Sequence, residues 1–376
     1  MNLAGRLFRT ARFPAAAPAR PAAPAVNQKR RARAALAWLA AAFLALNAFA
    51  VVAIDTLWPR LRDPEYGIRV TQLRRRIAEN PGRPLVLVVG SSRVSMGLSP
   101  AAWEEARPDA PGRPDPLIYN MSLVGSGPLM ELMCLRRVYA DGFRPAAVVF
   151  EYWPPFLRED GAFHEPDRID HNRLFDGDHA LVRDYFTKPA EIERQMRADR
   201  LNPLYETRHR LLAQAAPRWQ PWSKRMEMTW ANLDGWGWLP GIDEYPPDPE
   251  KRAKRLAHCE PIYRGQFQGY TIHPTADRAL REAVALARAN GARVALSCLP
   301  EASEFRGWIP PEVETAGRDY RDAVARDLDL PVIDGRLWMD DGDLVDGFHL
   351  SRHGAAAFTR RFGPAVAATF PDLGRK

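Results

Sequence analysis

Two short segments, far apart in the chain, carry side-chain types that together could perform nucleophilic catalysis. Gly90-Ser91-Ser92 follows an apolar run, and a glycine there allows the tight turn that would present a serine hydroxyl. Asp346-x-x-His349 lies near the other end of the chain. An aspartate three residues before a histidine can hold one imidazole nitrogen and leave the other to take the proton of Ser92. Taken alone, Gly-Ser-Ser is more typical of a helix cap, so the prediction depends on both segments.

These groups need a frame, and the chain between them alternates apolar runs with amphipathic stretches. The runs are continuous, which is typical of strands buried on both faces of a parallel sheet. Strands that alternate with helices predict an α/β fold with a mainly parallel sheet. The predicted strands are 85–89, 117–119, 146–150, 293–299 and 331–333, and the predicted helices are 128–140, 276–290, 311–328 and 352–362.

Polar residues follow four of these predicted strands. Because ligands of such sheets bind at the carboxyl ends of the strands, these residues should meet at one edge. A central position for the first strand would also bring the loop with His349 beside Ser92. The four strand ends are Gly90-Ser91-Ser92-Arg93, Asn120-Met121-Ser122, Glu151-Tyr152 and Pro300-Glu301.

The two end segments resemble the first and last sequence blocks of the SGNH (GDSL-like) hydrolases and acyltransferases, over residues 84–152 and 276–370. The resemblance implies a three-layer α/β/α sandwich in which Ser92 is the nucleophile and Asp346 and His349 complete the triad. It also implies that a glycine after the second strand donates its N–H to the oxyanion, and Gly125 fits that position. The matching residues are Gly90-Ser91-Ser92, Gly125, and Asp346-Gly347-Phe348-His349-Leu350-Ser351 with Gly354.

The third block of that family, Gly-x-Asn-Asp, has no counterpart here. Glu151-Tyr152-Trp153-Pro154 occupies the corresponding strand end. Losing one oxyanion donor can cost roughly a hundredfold in rate, so another group should replace the missing asparagine. Asn120 and Arg93 are both candidates, and the sequence does not choose between them.

The N-terminal residues predict a membrane anchor. Residues 34–54 carry no charge, and 21 residues at 1.5 Å each give about 31 Å, enough to cross a bilayer core. A basic cluster before this run predicts a cytoplasmic tail over 1–33, a single-pass anchor in the inner membrane, a juxtamembrane stalk over 55–83 and a periplasmic domain over 84–376. A cleaved signal ending near Ala48-Phe49-Ala50 is the alternative, which the length of both segments disfavours.

Charge and cysteine content exclude other classes of protein. The net charge of +7 comes from eight basic residues within 1–33, and the remaining chain has 45 basic against 46 acidic residues, a net charge of −1. This balance argues against a nucleic-acid partner. Three cysteines and eight histidines show no metal-ligand spacing, and His353, four residues after His349, does not share a helix with it. We therefore expect no metal and no cofactor.

Residues 153–270 interrupt the α/β alternation and form a tryptophan-rich insertion. Exposed indole faces are platforms for sugar rings, whereas buried ones would form a small core of the insertion. Both interpretations remain open at the level of sequence. The tryptophans of this insertion are Trp153, Trp219, Trp222, Trp230, Trp236 and Trp238.

Together these features predict a serine acyltransferase or esterase that acts on O-acyl groups, acetyl above all, of an exported cell-envelope polysaccharide. A transferase with one membrane span would need a multi-pass membrane protein as its acyl donor. A membrane-tethered carbohydrate esterase would use the same residues. The alternative from another class is a non-catalytic scaffold of a polysaccharide-export complex, which the missing third block favours and the intact Ser92, Asp346 and His349 disfavour.

Overall fold

The computed structural model describes residues 25–58, 61–107, 115–158, 164–221, 229–241 and 248–373. Of the tail predicted over residues 1–33, residues 1–24 lie outside the described residues. Trp222 of the insertion also lies outside them. The chain forms two compact units, one that ends at Phe49 and one that begins at Ala50.

The first unit contains most of a long apolar helix. Helix α1 comprises Ala25–Val52, and a short π-helix over Ala53–Leu57 follows it. Its segment Gln28–Val52 is long and apolar enough to span a membrane by length and composition. The helix begins before the predicted anchor of residues 34–54, because the basic cluster continues the same helix.

A five-stranded parallel sheet organises the second unit, with strand order β2-β1-β3-β4-β5. The strand bounds agree with the predicted runs to within a residue or two. Strand β1 lies between β2 and β3, so the chain reverses its direction of strand addition at β1, where ligands of such sheets bind. The strands are β1 (Leu85–Val89), β2 (Leu117–Asn120), β3 (Ala147–Glu151), β4 (Arg293–Cys298) and β5 (Val332–Asp334).

Helices cover both faces of this sheet, which explains why its strands are apolar without alternation. Leu87 of β1 belongs to a core with helices α2, α5 and α11, whereas Val88 faces a second core with α3, α4 and α14. Each inner strand is thus buried on both sides. These helices are α2 (Pro64–Glu79), α3 (Ser92–Gly97), α4 (Pro100–Ala106), α5 (Pro128–Ala140), α11 (Pro274–Ala289) and α14 (Arg352–Thr369).

The predicted stalk over residues 55–83 needs correction. Helix α2 inserts Tyr66, Val70 and Leu73 into the main core, and Leu73 is fully buried. Asp63 at its N-terminus is also buried and pairs with Arg137 of α5. The segment was expected to be a stalk beside the membrane, but its apolar residues are spaced for one buried stripe.

Within its described residues, the insertion forms five α-helices and contributes to a third core. Trp153 packs with Phe305 and Phe348 in an aromatic cluster that also contains Phe267 and Trp308. Trp153 therefore belongs to a core, while Trp219 is exposed. The insertion helices are α6 (Glu165–Arg168), α7 (His179–Tyr185), α8 (Pro189–Leu201), α9 (Pro203–Ala215) and α10 (Pro249–Gln266), and α12 (Ser303–Trp308) and α13 (Pro311–Asp327) follow β4.

Candidate active site

The two serines after β1 have different roles. The Ser91 hydroxyl caps helix α3 by accepting the N–H of Arg93 at 3.1 Å, and Ser91 is fully buried. Ser92 is the first residue of α3 and is half-buried. Ser91 thus provides the helix cap that the sequence suggested, and the Ser92 hydroxyl takes no part in the cap.

The loop before α14 holds the histidine in a fixed turn. Asp346 accepts the backbone N–H groups of Phe348 at 3.2 Å and His349 at 2.9 Å through Oδ1. Gly347 has a φ of 99°, a left-handed conformation that favours glycine, and this allows the turn. Ser351 then caps α14 by accepting the N–H of Gly354 at 3.0 Å.

These two segments meet in a hydrogen-bonded chain of three side chains. Ser92 Oγ lies 2.8 Å from His349 Nε2, and His349 Nδ1 lies 2.8 Å from Asp346 Oδ2. Serine and histidine are 257 positions apart in the sequence, and the central place of β1 brings them together. The arrangement has the geometry of a nucleophile, a base and an orienting carboxylate.

Burial and charge keep the orienting carboxylate ionised. Burial alone would raise the pKa of Asp346, but His349 and the backbone N–H groups of His349 and Phe348 outweigh it and hold that pKa below its ordinary value. The ring of Phe348 packs 4.5 Å from the imidazole, between centroids, and closes one side of it. An ionised Asp346 can hold a proton on Nδ1, which leaves Nε2 to accept the Ser92 proton.

Arg93 does not replace the missing oxyanion asparagine. Its guanidinium is buried and donates to the carbonyl groups of Leu299 at 2.9 Å and Pro300 at 3.0 Å, and to Phe348 at 3.4 Å. It also pairs with Glu151 at 3.3 Å. Because these acceptors occupy its donors, Arg93 positions three strand-end loops instead of facing the serine.

Asn120 is likewise committed to the fold. Its Nδ2 donates to the carbonyl groups of Val94 and Leu98, both at 2.8 Å, and its Oδ1 accepts the Ser122 hydroxyl at 2.5 Å. Fully buried, Asn120 ties the end of β2 to helix α3. The expectation that it donates to an oxyanion was wrong, because the backbone of α3 already uses its amide.

Glu151 is a site residue whose role the sequence analysis missed. Its Oε2 accepts the N–H of Ser91 at 2.7 Å, and its Oε1 faces Arg93. A Cβ on Gly90 would lie 2.7 Å from this carboxylate, so only glycine fits beside it. The signal was available, since a charged residue directly after a buried strand of a parallel sheet lies at the ligand edge.

Two backbone N–H groups remain available as candidate oxyanion donors. Among the described residues, neither the Ser92 nor the Gly125 N–H has a hydrogen-bond acceptor. The loop that carries Gly125 is fixed beside β1, because the Leu123 N–H donates to the Gly90 carbonyl at 2.9 Å. Gly125 has a φ of 79°, and its carbonyl accepts Nη1 of Arg168 at 3.2 Å. Nothing in the sequence pattern pointed to Arg168.

A cavity of about 440 Å³ adjoins the site through Arg93. Its wall includes Tyr152 and Leu299 at the ends of β3 and β4, and Trp338 beyond β5, but not Ser92. Five arginines and three carboxylates also line it, so its charge is net positive. Within the described residues, no group of three or more potential metal ligands is present.

The fold and the site together define an α/β protein with a serine-histidine-aspartate chain at the carboxyl edge of a parallel sheet. A scan against protein-family models finds no match, and a search of the curated proteins finds none. The resemblance to the SGNH hydrolases therefore stays a prediction from the sequence.

Proposed function

We propose that this chain is a membrane-anchored serine acyltransferase or esterase of the SGNH type that acts on O-acyl groups, acetyl above all, of a cell-envelope polysaccharide. The observation that carries the proposal is the pair of 2.8 Å contacts that join Ser92, His349 and Asp346. The structural roles of Arg93 and Asn120 leave the backbone N–H groups of Ser92 and Gly125 as the oxyanion donors.

In this chemistry, Ser92 Oγ attacks the acyl carbonyl carbon while His349 Nε2 takes the hydroxyl proton. His349 returns that proton to the leaving oxygen as the carbon–oxygen bond of the donor ester breaks, which leaves an acyl-Ser92 ester. A sugar hydroxyl or water then gives its proton to His349 and attacks the same carbonyl. The bond from the acyl carbon to Ser92 Oγ breaks, and His349 returns the proton to Ser92. Asp346 stabilises the imidazolium that forms in each half of the reaction.

The anchor supports the proposed location. A helix able to span the membrane would hold the domain at the surface of the inner membrane, and the basic residues before the span favour export of the domain to the periplasm. A transferase in that position has no cytosolic acyl donor of its own. We therefore propose a multi-pass membrane protein as the donor and an exported polysaccharide as the acceptor.

Trapping of the acyl-enzyme tests the proposal. The purified full chain is mixed with 4-nitrophenyl acetate, quenched in acid and digested, and the Ser92 peptide should gain one acetyl group by mass spectrometry. The Ser91→Ala variant should still be labelled at Ser92, and the Ser92→Ala variant should not be labelled. If the peptide that contains position 92 stays unlabelled in wild type as well as in Ser92→Ala, the non-catalytic scaffold is the remaining function.

A further inference from the structure

Exposed apolar side chains are concentrated in one part of the second unit. Beyond α1, nine large hydrophobic side chains of the described residues are exposed, and six of them lie in two short segments. The remaining three, Ile77, Ile262 and Leu337, are isolated along the chain, which is normal for a soluble surface. We call the six the anchor-proximal patch: Leu57, Trp58, Leu201, Tyr205, Leu211 and Trp219.

Contacts fasten the two segments of the patch to each other. Leu204 of α9 packs against a small cluster of Ala50, Ile54 and Leu61. Arg210 of the same helix donates to the Leu61 carbonyl at 3.4 Å. The side chain of Gln220 also donates to the carbonyl of His209, which ties the turn with Trp219 back to α9.

One segment of this patch begins five residues after the apolar span. The span ends at Val52, and Ala50 of the cluster still belongs to it. At about 1.5 Å per helical residue, the five residues from Val52 to Leu57 extend less than about 10 Å beyond the span. The headgroup region of a bilayer has about this depth. If α1 crosses a bilayer, the segment to which α9 is fastened lies in that region.

The side-chain chemistry of the patch fits a lipid surface. Tryptophan and tyrosine are enriched at the membrane interface, and Trp219 is 81% exposed. Residues 200–219 contain four arginines and one glutamate, an excess of +3 in a domain that is otherwise nearly neutral. The Arg208 guanidinium lies 3.5 Å from the centre of the Tyr205 ring, so charge and apolar surface stand side by side.

We propose that the end of α8, helix α9 and the turn after it form a second contact with the bilayer, at the depth of its anionic headgroups. This inference depends on α1 spanning the membrane and is independent of the proposed chemistry. Two contacts restrict the rotation of the domain about its anchor, which a single contact would not do. The patch therefore fixes how the edge with Ser92 is presented to membrane-bound partners.

Depth measurements on the reconstituted full chain test the proposal. Single cysteines are introduced as Leu201→Cys, Trp219→Cys, Leu337→Cys and Leu44→Cys, with the half-buried Cys259 changed to serine. Each carries a spin label in vesicles of phosphatidylethanolamine and phosphatidylglycerol. Collision rates are measured with oxygen, which concentrates in lipid, and with a water-soluble nickel chelate.

Labels at 201 and 219 should show an oxygen-to-nickel collision ratio several-fold higher than the label at 337, and shifted toward the value at 44. A ratio equal to that at 337 overturns the lipid contact. Shielding of 201 and 219 from both reagents also overturns it, because a protein partner or a second copy then covers the patch. A water-like ratio at 44 removes the premise that α1 spans the bilayer, and the acyl-Ser92 assay is unaffected by that result.

Discussion

Two buried arginines hold two regions of the domain together, and their partners differ. Arg93, directly after Ser92, donates to three backbone carbonyl groups in the loops after β4 and before α14, and pairs with the single carboxylate of Glu151 at the end of β3. Arg137 of α5 pairs with the carboxylates Asp63 and Asp178. We call these groups the Arg93 cluster and the Arg137 cluster.

The difference in partners gives the two clusters different structural roles: the Arg93 cluster positions loops, and the Arg137 cluster joins segments of the chain. A guanidinium bound to carbonyl groups fixes the direction of loops, and one of its acceptors is Phe348, next to His349. A guanidinium bound to carboxylates joins segments, because Asp63 starts α2 and Asp178 starts α7. Damage to the first cluster should therefore affect catalysis and stability together, and damage to the second should affect stability alone.

The largest expected effect is that of replacing Ser92, the neighbour of Arg93. Ser92→Ala should lower acyl transfer or ester cleavage on the order of 10⁴- to 10⁶-fold, as removal of a triad nucleophile does. Ser91→Ala removes only a helix cap, which costs about 1 kcal/mol of stability, and should keep most of the activity. Steady-state rates at matched folding measure both; equal losses in the two variants would contradict the assignment.

Asp346→Asn should have the second largest effect, a fall in activity of roughly 10⁴-fold, because the amide cannot hold the same imidazole tautomer. The amide still accepts backbone N–H groups, so the turn should persist and thermal unfolding should change little. Activity of this variant within tenfold of wild type would show that His349 does not need Asp346. The same rate assay and a melting curve measure the two effects.

The two arginines give a direct contrast in a third experiment. Arg93→Lys and Arg137→Lys should each lower the free energy of unfolding by about 3 kcal/mol, since lysine cannot reproduce the fork of donors. Only Arg93→Lys should also lower kcat of the folded fraction, because only Arg93 contacts the loop of His349. Melting curves and active-site titration separate the two; a fall of kcat in Arg137→Lys would remove the distinction.

The Arg137 cluster should show a characteristic dependence on pH. Burial alone would raise the pKa of Asp63, but Arg173 and Arg137 outweigh it and depress that pKa below its ordinary value of 3.8. A depressed pKa contributes stability that is present above about pH 4 and is lost as the pH falls through the folded value.

Asp63→Asn should therefore be less stable than wild type at pH 7, by about 3 kcal/mol. The difference in melting temperature between Asp63→Asn and wild type should therefore become smaller as the pH is lowered toward 3. Melting curves of both proteins at a series of pH values measure it. A gap that stays constant over that range would mean that the carboxylate does not carry the stability.

The smallest expected effect concerns Gly125, the predicted oxyanion glycine. Gly125→Ala places a side chain at a φ of 79°, which costs about 1–2 kcal/mol and should turn its N–H. Gly142→Ala, at a φ of 87° in the turn after α5, is the matched control with the same strain. Both variants should lose similar stability, and only Gly125→Ala should lose activity; equal activity in both would exclude the Gly125 N–H from the site.

Several features could be predicted because they depend on short-range pattern. The five strands were predicted because each is an apolar run buried on both faces, and the position of Ser92 followed from the end of such a run. His349 was predicted from its spacing to Asp346. The contact of Asp346 with His349 is also local, as three residues in one turn determine it. These features need only the periodicity of burial and the chemistry of neighbouring residues.

The remaining features depend on which side chains meet across the fold. Arg93 and Asn120 were the two candidates for the missing oxyanion donor. Buried guanidinium and amide groups instead bind the nearest free carbonyl groups, and tertiary packing supplied these from α3 and from the loops after β4 and before α14. Helix α2 was expected in a stalk, yet its apolar stripe packs on the sheet. Residue types and spacing determined what chemistry this chain could carry, whereas long-range packing decided which polar groups remain free to perform it, because burial forces the others to pair.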